Sequence, residues 1–203
     1  MSSNIGVMGH PIGHTKSPIF QQAGLNELGI DETFEAWDVL PEDLEDKVAT
    51  FREKGFIAAC VTLPHKQAVI PMVDELTEAA ESVGAVNWIF NRDGKLIGHN
   101  TDCNGFLRAL KEEAGFDPKG ADAVVFGAGG AARAIVYALK TAGVNRLTIA
   151  NRTVEKAQAL ANDFSEGRFK PTATGMSRDE LSNYVPYANL LVNTTSLGMA
   201  GGP

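Results

Sequence analysis

The stretch Ala123-Val-Val-Phe-Gly-Ala-Gly-Gly-Ala-Ala132 decides the fold. Its first four residues read as a buried strand, and residues 131–141 read as a helix that Gly143 stops. Gly127, Gly129 and Ala132 fit G-x-G-x-x-G/A between the two. Gly127 allows a tight turn, Gly129 lets the backbone approach a pyrophosphate, and small Ala132 lets the helix pack close to the strand. The helix start offers free N–H groups to phosphates, so Gly127, Ala128, Gly129, Gly130 and Ala131 are candidate cofactor contacts. The bland alternative is a simple tight strand-to-helix turn.

Downstream, Arg146–Ala150 reads as a second strand, Val154–Phe164 as a second helix and residues 189–192 as a later strand. That is the βαβ start of a dinucleotide fold. A site for NAD usually carries Asp or Glu at the end of the second strand, to accept from the ribose 2′-OH. Here the residues are Asn151-Arg-Thr153, followed by Lys156. Arg152 can grip a 2′-phosphate through two N–H bonds, Thr153 can donate another, and Lys156 adds charge. These residues predict NADP. A solvated turn with Thr153 as helix N-cap is the alternative, and Thr153 can serve both roles.

Upstream, Gly115 to Gly120 holds two Gly and one Pro and marks the best boundary. The expected organisation is a substrate-binding and catalytic domain over 1–103, a linking helix and boundary loop over 104–120, and a Rossmann-type NADP-binding domain over 121–203. Short apolar runs alternate with amphipathic stretches throughout, the α/β signature. In the first half, strands are predicted at 5–9, 33–39, 57–61, 85–90 and 96–99. Helices are predicted from Ser17-Pro18 to Gly29, over 44–54, over 74–83 and from Asp102 to about residue 114, with Ser17 and Asp102 as N-caps. Asn91-Arg-Asp-Gly94 reads as a hairpin turn.

Composition narrows the function classes. Of 203 residues, 44% are hydrophobic and 21% charged, enough for an ordinary core. The net charge of −7 argues against a nucleic-acid partner. It is uneven, with 7 Lys/Arg against 16 Asp/Glu in residues 1–103 and 11 against 9 in residues 104–203. No apolar run reaches the roughly 18 residues of a membrane span, and residues 1–8 lack a signal-peptide pattern. Cys60 and Cys103 show no metal spacing and read as free thiols in a reducing cytoplasm.

Polar residues recur at predicted strand ends and helix starts in the first half. Thr15 and Ser17 precede a helix, Thr62 and Lys66 bracket Leu63-Pro-His65, Asn87 interrupts an apolar run, and Asp102 opens a helix. Each has a plain reading as a cap, turn residue or solvated charge. Asn87 is hardest to read that way, because a buried amide without partners costs roughly 1–3 kcal/mol.

Together, Gly9-His-Pro-Ile-Gly-His-Thr-Lys-Ser-Pro18, Val61-Thr-Leu-Pro-His-Lys66, Gly84-Ala-Val-Asn87, Asn100-Thr-Asp-Cys-Asn-Gly105, Gly127-Ala-Gly-Gly-Ala-Ala132, Asn151-Arg-Thr153 and Asn193-Thr-Thr-Ser-Leu-Gly-Met199 resemble the ordered motifs of the NADP-dependent shikimate dehydrogenase family. The resemblance spans nearly the whole chain. It implies that Thr15 and Ser17 hold the substrate carboxylate and that Thr62, Asn87 and Asp102 bind ring hydroxyls. It implies a catalytic Lys66 with Asp102 as partner. It places Asn193 to Met199, with Thr194, Thr195 and Met199, beside the nicotinamide. The implied reaction is hydride transfer between NADP(H) and one ring carbon, interconverting 3-dehydroshikimate and shikimate on the route to chorismate and the aromatic amino acids. A free lysine is charged near neutrality and can protonate the new alkoxide.

The sequence departs from the family at three places. Thr15 stands where Ser is usual, Cys60 where Asn is usual, and the chain ends where relatives continue into further Rossmann elements. The expectation is a C-terminally incomplete Rossmann half with an uncovered sheet face, an unpaired strand edge and little activity, lacking a Gln that touches substrate. A quinate/shikimate dehydrogenase of broader specificity, a non-catalytic NADP- or metabolite-binding module, and another two-domain NADP enzyme such as a methylene-tetrahydrofolate dehydrogenase are the competing readings. The expected partners are small molecules alone, with the chain a monomer or homodimer. No metal site is expected.

Overall fold

The computed structural model describes residues 4–198, and the chain divides into two compact units, 1–101 and 102–203. In the first unit the strands are β1 Ile5–Gly9, β2 Phe34–Asp38, β3 Ala58–Val61, β4 Glu75–Leu76, β5 Trp88–Arg92 and β6 Lys95–His99. The helices are α1 Ser17–Glu27, α2 Leu44–Thr50 and α3 Glu78–Val83. The six strands form one sheet in the order β2-β1-β3-β5-β6-β4. β2, β1 and β3 run parallel, β5 runs against β3 and β6, and β4 runs parallel to β6.

That order fixes what the sheet can present. The carboxyl ends of β1, β3 and β6 and the amino end of β5 fall on one edge. The chain leaves β1 towards β2 on one side and later returns to β3 on the other. The edge beyond β1 and β3 is therefore a topological switch point, where open α/β sheets bind ligands. Beneath it lies a core of Met8, Val61, Val69, Val86, Ile89 and Leu96, closed by Leu44, Val48 and Phe51.

The strand expected over 85–90 is Trp88–Arg92, the helix expected over 44–54 ends at Thr50, and three further expectations shift for visible local reasons. The helix expected over 74–83 begins only at Glu78. Asp74 accepts from the Leu96 N–H at 2.7 Å, Glu75 pairs with Ile97 as strand, and Thr77 caps the Ala80 N–H at 3.4 Å. Ser17 is the first helical residue rather than the cap, since its N–H donates to Thr15 Oγ1 at 3.2 Å. The expected turn over 91–94 tightens to Asp93-Gly94, both at positive φ, which carries Arg92 across to Lys95.

In the second unit the helices are α4 Asp102–Arg108, α5 Gly130–Ala142, α6 Val154–Phe164 and α7 Arg178–Leu181. The strands are β7 Asp122–Phe126, β8 Arg146–Ala150, β9 Thr172–Thr174 and β10 Leu190–Asn193. They form an all-parallel sheet in the order β10-β7-β8-β9. α4 opens on Asp102 and passes into a π turn over Ala109–Glu113. Its Phe106 packs against the core of Val125, Ile135, Leu139, Ile149, Leu160 and Phe164, so the segment expected to link two domains belongs to this one. α5 ends on Gly143 at φ +80, as expected. Sequence reading passed over β9 and α7, although Ser177 and Glu180 form a complete capping box. β10 is an edge strand among the described residues, with Leu191 50% exposed.

Candidate active site

In the first unit the expected substrate residues collect at the switch-point edge. Thr15 and Ser17 lie just beyond β1. The Thr15 hydroxyl donates to Ser17 Oγ at 3.2 Å, and both residues are half-buried. α1 starts there with no side-chain cap and no acidic residue in its first turn, but its first N–H groups are engaged: that of Ser17 donates to Thr15 Oγ1 at 3.2 Å, Pro18 has none, and that of Ile19 donates to the Lys16 carbonyl at 3.0 Å. Thr62 follows β3, and its N–H donates to the Met8 carbonyl at 2.9 Å. Gly9 makes that approach possible: a Cβ there would stand 2.8 Å from the Leu63 carbonyl oxygen. Lys66 is half-buried, and its carbonyl accepts from Val86 N–H at 2.7 Å.

Asn87 lies just before β5 and is 5% exposed. Its backbone spans two strands, donating to the His99 carbonyl at 2.9 Å and accepting from Val61 N–H at 2.8 Å. Its amide oxygen accepts from Thr101 N–H at 2.9 Å, and its amide nitrogen donates to Thr101 Oγ1 at 2.8 Å. The buried Asn100 donates to the Ala85 carbonyl at 2.9 Å. These bonds fix the backbone as far as Thr101, the last residue of the first unit. Burial and then the Asp102 charge raise the Cys103 thiol above its ordinary value, which keeps it protonated.

Sequence reasoning assigned no role to Thr101 or Asp38, and of His10 and His65 it expected loop or hydrogen-bonding roles. The His10 ring Nδ1 lies 2.8 Å from Asp38 Oδ1, joining the carboxyl ends of β1 and β2. The signal for Thr101 was its place in Asn100-Thr-Asp102. Asp38 carried none, since nothing local marks its partner 28 residues away.

In the second unit the glycine turn follows β7 at the sheet's own switch point, next to β10. Gly127 has φ +112, and a Cβ there would run into Thr194 Oγ1. Thr194 donates through both N–H and hydroxyl to the Phe126 carbonyl, at 2.9 and 2.6 Å. Asn193 accepts from Thr195 N–H and hydroxyl at 2.9 and 2.7 Å, shaping the turn after β10. Gly129 is the N-cap of α5, with no side-chain cap, no acidic residue in the first turn and open space where a Cβ would go. The N–H groups leading into α5 therefore form an anion cradle, the feature a pyrophosphate needs. At the end of β8, Asn151 donates to the Thr153 carbonyl at 2.8 Å. Thr153 is the N-cap of α6, but its hydroxyl makes no capping bond. Arg152, Thr153 and Lys156 are exposed there with no carboxylate in the sequence from 151 to 154. The donor set fits NADP. Met199 lies outside the described residues.

A cavity of about 400 Å³ in this unit lies at the other end of the sheet, lined by Asp122, Arg146, Arg168, Lys170, Tyr184 and Tyr187 among others. It holds none of the expected cofactor residues. Among the described residues no His/Cys/Asp/Glu group could hold a metal ion, and no helix is long and apolar enough to cross a membrane.

Two family models match the chain, the shikimate dehydrogenase substrate binding domain over residues 7–89 and shikimate/quinate 5-dehydrogenase over residues 109–198. The shikimate dehydrogenase (NADP(+)) of Methanopyrus kandleri is 45% identical over 196 residues, which are 96% of this chain and 68% of that protein. The shikimate 5-dehydrogenase of Thermus thermophilus, solved with NADP(H) and shikimate, superposes with a TM-score of 0.82 at 36% identity, covering 96% of this chain and 69% of that one. The ligand-free 5-ketofructose reductase of a Gluconobacter strain superposes with a TM-score of 0.75 at 35% identity, covering 98% and 72%. The chain spans about two thirds of the length of the curated relatives it matches.

Proposed function

The chain belongs to the shikimate dehydrogenase family, and from that premise we propose that it interconverts 3-dehydroshikimate and shikimate with NADP(H). One observation carries the reading. A single sheet edge gathers Thr15, Ser17, Thr62, Lys66 and Asn87 from three separate stretches of sequence. A carboxylate, several hydroxyls and a carbonyl are the groups such a set can bind and protonate.

NADPH supplies the hydride when bound. The chain's own residues do the remainder. Gly127 makes the turn, its own N–H given to the Ala150 carbonyl at 2.8 Å, so Ala128 to Ala131 would present the backbone N–H groups to the pyrophosphate, while Arg152, Thr153 and Lys156 would take the 2′-phosphate, with Asn151 shaping their turn. Thr194 and Thr195, in the turn after β10, would flank the nicotinamide, a role that Met199 shares by family resemblance alone. Thr15 and Ser17 orient the substrate carboxylate through their hydroxyls. Thr62 and Asn87 bind ring hydroxyls. The Lys66 ammonium donates a proton to the oxygen that was the carbonyl, with Asp102 as its carboxylate partner. The reverse reaction needs Lys66 neutral.

The test is NADPH oxidation by this chain with 3-dehydroshikimate. NADPH loss that depends on that substrate is expected. Tight NADPH binding without it, both in this chain and in a version completed with the C-terminal elements of its relatives, would make the protein a binding module. A broader specificity is the second reading, favoured by the family model that names both shikimate and quinate and by the 5-ketofructose reductase of like fold. Quinate oxidation with NADP, run beside shikimate oxidation, separates the two. We place the protein in the cytoplasm as a monomer or homodimer with small-molecule ligands alone, supported by the two free thiols and the acidic net charge.

A further inference from the structure

We propose that His65 is a positioning residue for Lys66, holding the turn that carries it through one buried hydrogen bond. The inference rests on the reading of Lys66 as proton donor. Across residues 63–68 His65 alone is buried, at 1% exposure, while Leu63, Pro64, Gln67 and Ala68 are exposed. The turn's anchor is therefore this imidazole. Its Nε2 lies 2.7 Å from the Val39 carbonyl oxygen. A carbonyl only accepts, so Nε2 carries the proton.

Val39 is itself fixed, being 5% exposed and donating its N–H to the Gly9 carbonyl at 3.0 Å. The His65 N–H donates to the Thr62 carbonyl at 2.9 Å, and its carbonyl accepts from Val69 N–H at 3.1 Å. Lys66 is thus held on one side by Val86, through its own carbonyl, and on the other by the ring of the preceding residue. An apolar ring of similar size would fill the space but leave the buried Val39 carbonyl without its donor. The turn would then gain by moving to rehydrate it. Misplacing a reacting group by about 1 Å costs on the order of a hundredfold in rate.

The test compares His65→Phe, which keeps ring volume and removes the donor, with His65→Gln, whose terminal nitrogen sits the same number of bonds from Cα. Lysines of the full chain are reductively methylated with ¹³C-formaldehyde, and the Lys66 resonance is assigned through Lys66→Arg. In His65→Phe that resonance should move towards the position of the exposed lysines, and His65→Gln should return it. In the assay, kcat with 3-dehydroshikimate should fall about tenfold or more in His65→Phe, with KM for NADPH unchanged and recovery in His65→Gln. Should Phe prevent folding, His65→Asn, one bond too short to reach Val39, supplies the contrast. An unmoved Lys66 resonance in the folded donor-less variant overturns the proposal. A wild-type chain with no turnover would sink the reading of function, and the resonance would still decide this one.

Discussion

Asn87 and Thr101 bind each other twice. The asparagine amide oxygen accepts the threonine N–H at 2.9 Å, and its nitrogen donates to the threonine hydroxyl at 2.8 Å. The amide is thereby committed to structure, whatever it also offers a substrate. Asn87→Ala removes both bonds from a buried place and should lower stability by about 1–3 kcal/mol, measured by urea unfolding. Asn87→Asp keeps the acceptor for Thr101 N–H but cannot donate to the hydroxyl. It should lose less stability than the alanine variant, while shikimate binding falls in both. Equal stability of Asn87→Ala and wild type would show the pair to be incidental.

Lys66→Ala should remove most turnover while leaving NADP binding intact. The loss of a positioned general acid is worth about 10²–10⁴-fold in rate. Steady-state kcat and a fluorescence titration with NADPH read the two effects separately. A kcat within about threefold of wild type would exclude Lys66 as proton donor.

Much of this architecture was legible because its signals are local. Gly127, Gly129 and Gly143 mark a turn, a helix start and a helix end, and the structure uses each of them so. The hairpin at Asp93-Gly94 and the strand Arg146–Ala150 follow from equally short patterns. The misreadings share a different cause. Glu75 and Leu76 are strand only because Ile97 and Gly98 pair with them, and nothing within 74–83 announces that edge. Lys16 stands at the N-cap in place of Ser17, whose N–H turns back to Thr15 Oγ1, a choice that propensity leaves open. In the site, residue types pointed to Asn87 and Lys66. The contacts that hold their surroundings, Thr101 on Asn87 and the Val39 carbonyl on His65 beside Lys66, reach across 14 and 26 residues.

Gly127 and Gly129 should part company under substitution. Gly127→Ala places a methyl against Thr194 at φ +112, so it should destabilise the second unit by roughly 1–3 kcal/mol. Gly129→Ala meets open space at φ −95 and should leave the melting temperature nearly unchanged. It should nonetheless weaken NADP binding, because the methyl occupies the approach to the helix N–H groups. A Gly129→Ala variant that binds NADP as wild type does would remove the cradle from the site.

Asp122 ties the amino ends of two strands together, pairing with Arg146 and accepting from Asn145 at 2.8 Å. The Arg146 hydrogen bond first, opposed by burial and then aided by Asn145, holds its carboxyl below the ordinary aspartate value. A depressed folded value means that the stabilisation is present above the unfolded value near 3.8 and is lost as pH falls through the folded one. Asp122→Asn should therefore flatten the acid limb of unfolding below about pH 4 while changing its shape little at neutrality. Urea midpoints taken at steps of pH measure it, and an acid limb of unaltered steepness would assign that sensitivity to other carboxylates.

Arg152 should decide between the two nicotinamide cofactors. It stands exposed at the end of β8, where the sequence from Asn151 to Val154 carries no acid to bind a ribose hydroxyl. Arg152→Ala should weaken NADP by about 10–100-fold, the worth of a charge-assisted pair at roughly 1.5–3 kcal/mol, and leave NAD binding as it was. Arg152→Asp should go further, repelling the 2′-phosphate and offering the ribose of NAD an acceptor. The ratio of the two dissociation constants, measured by calorimetry at fixed ionic strength, is the readout, because surface charge alone would move both together. A parallel loss of NADP and NAD affinity in Arg152→Ala would mean that the guanidinium serves the turn and not the phosphate.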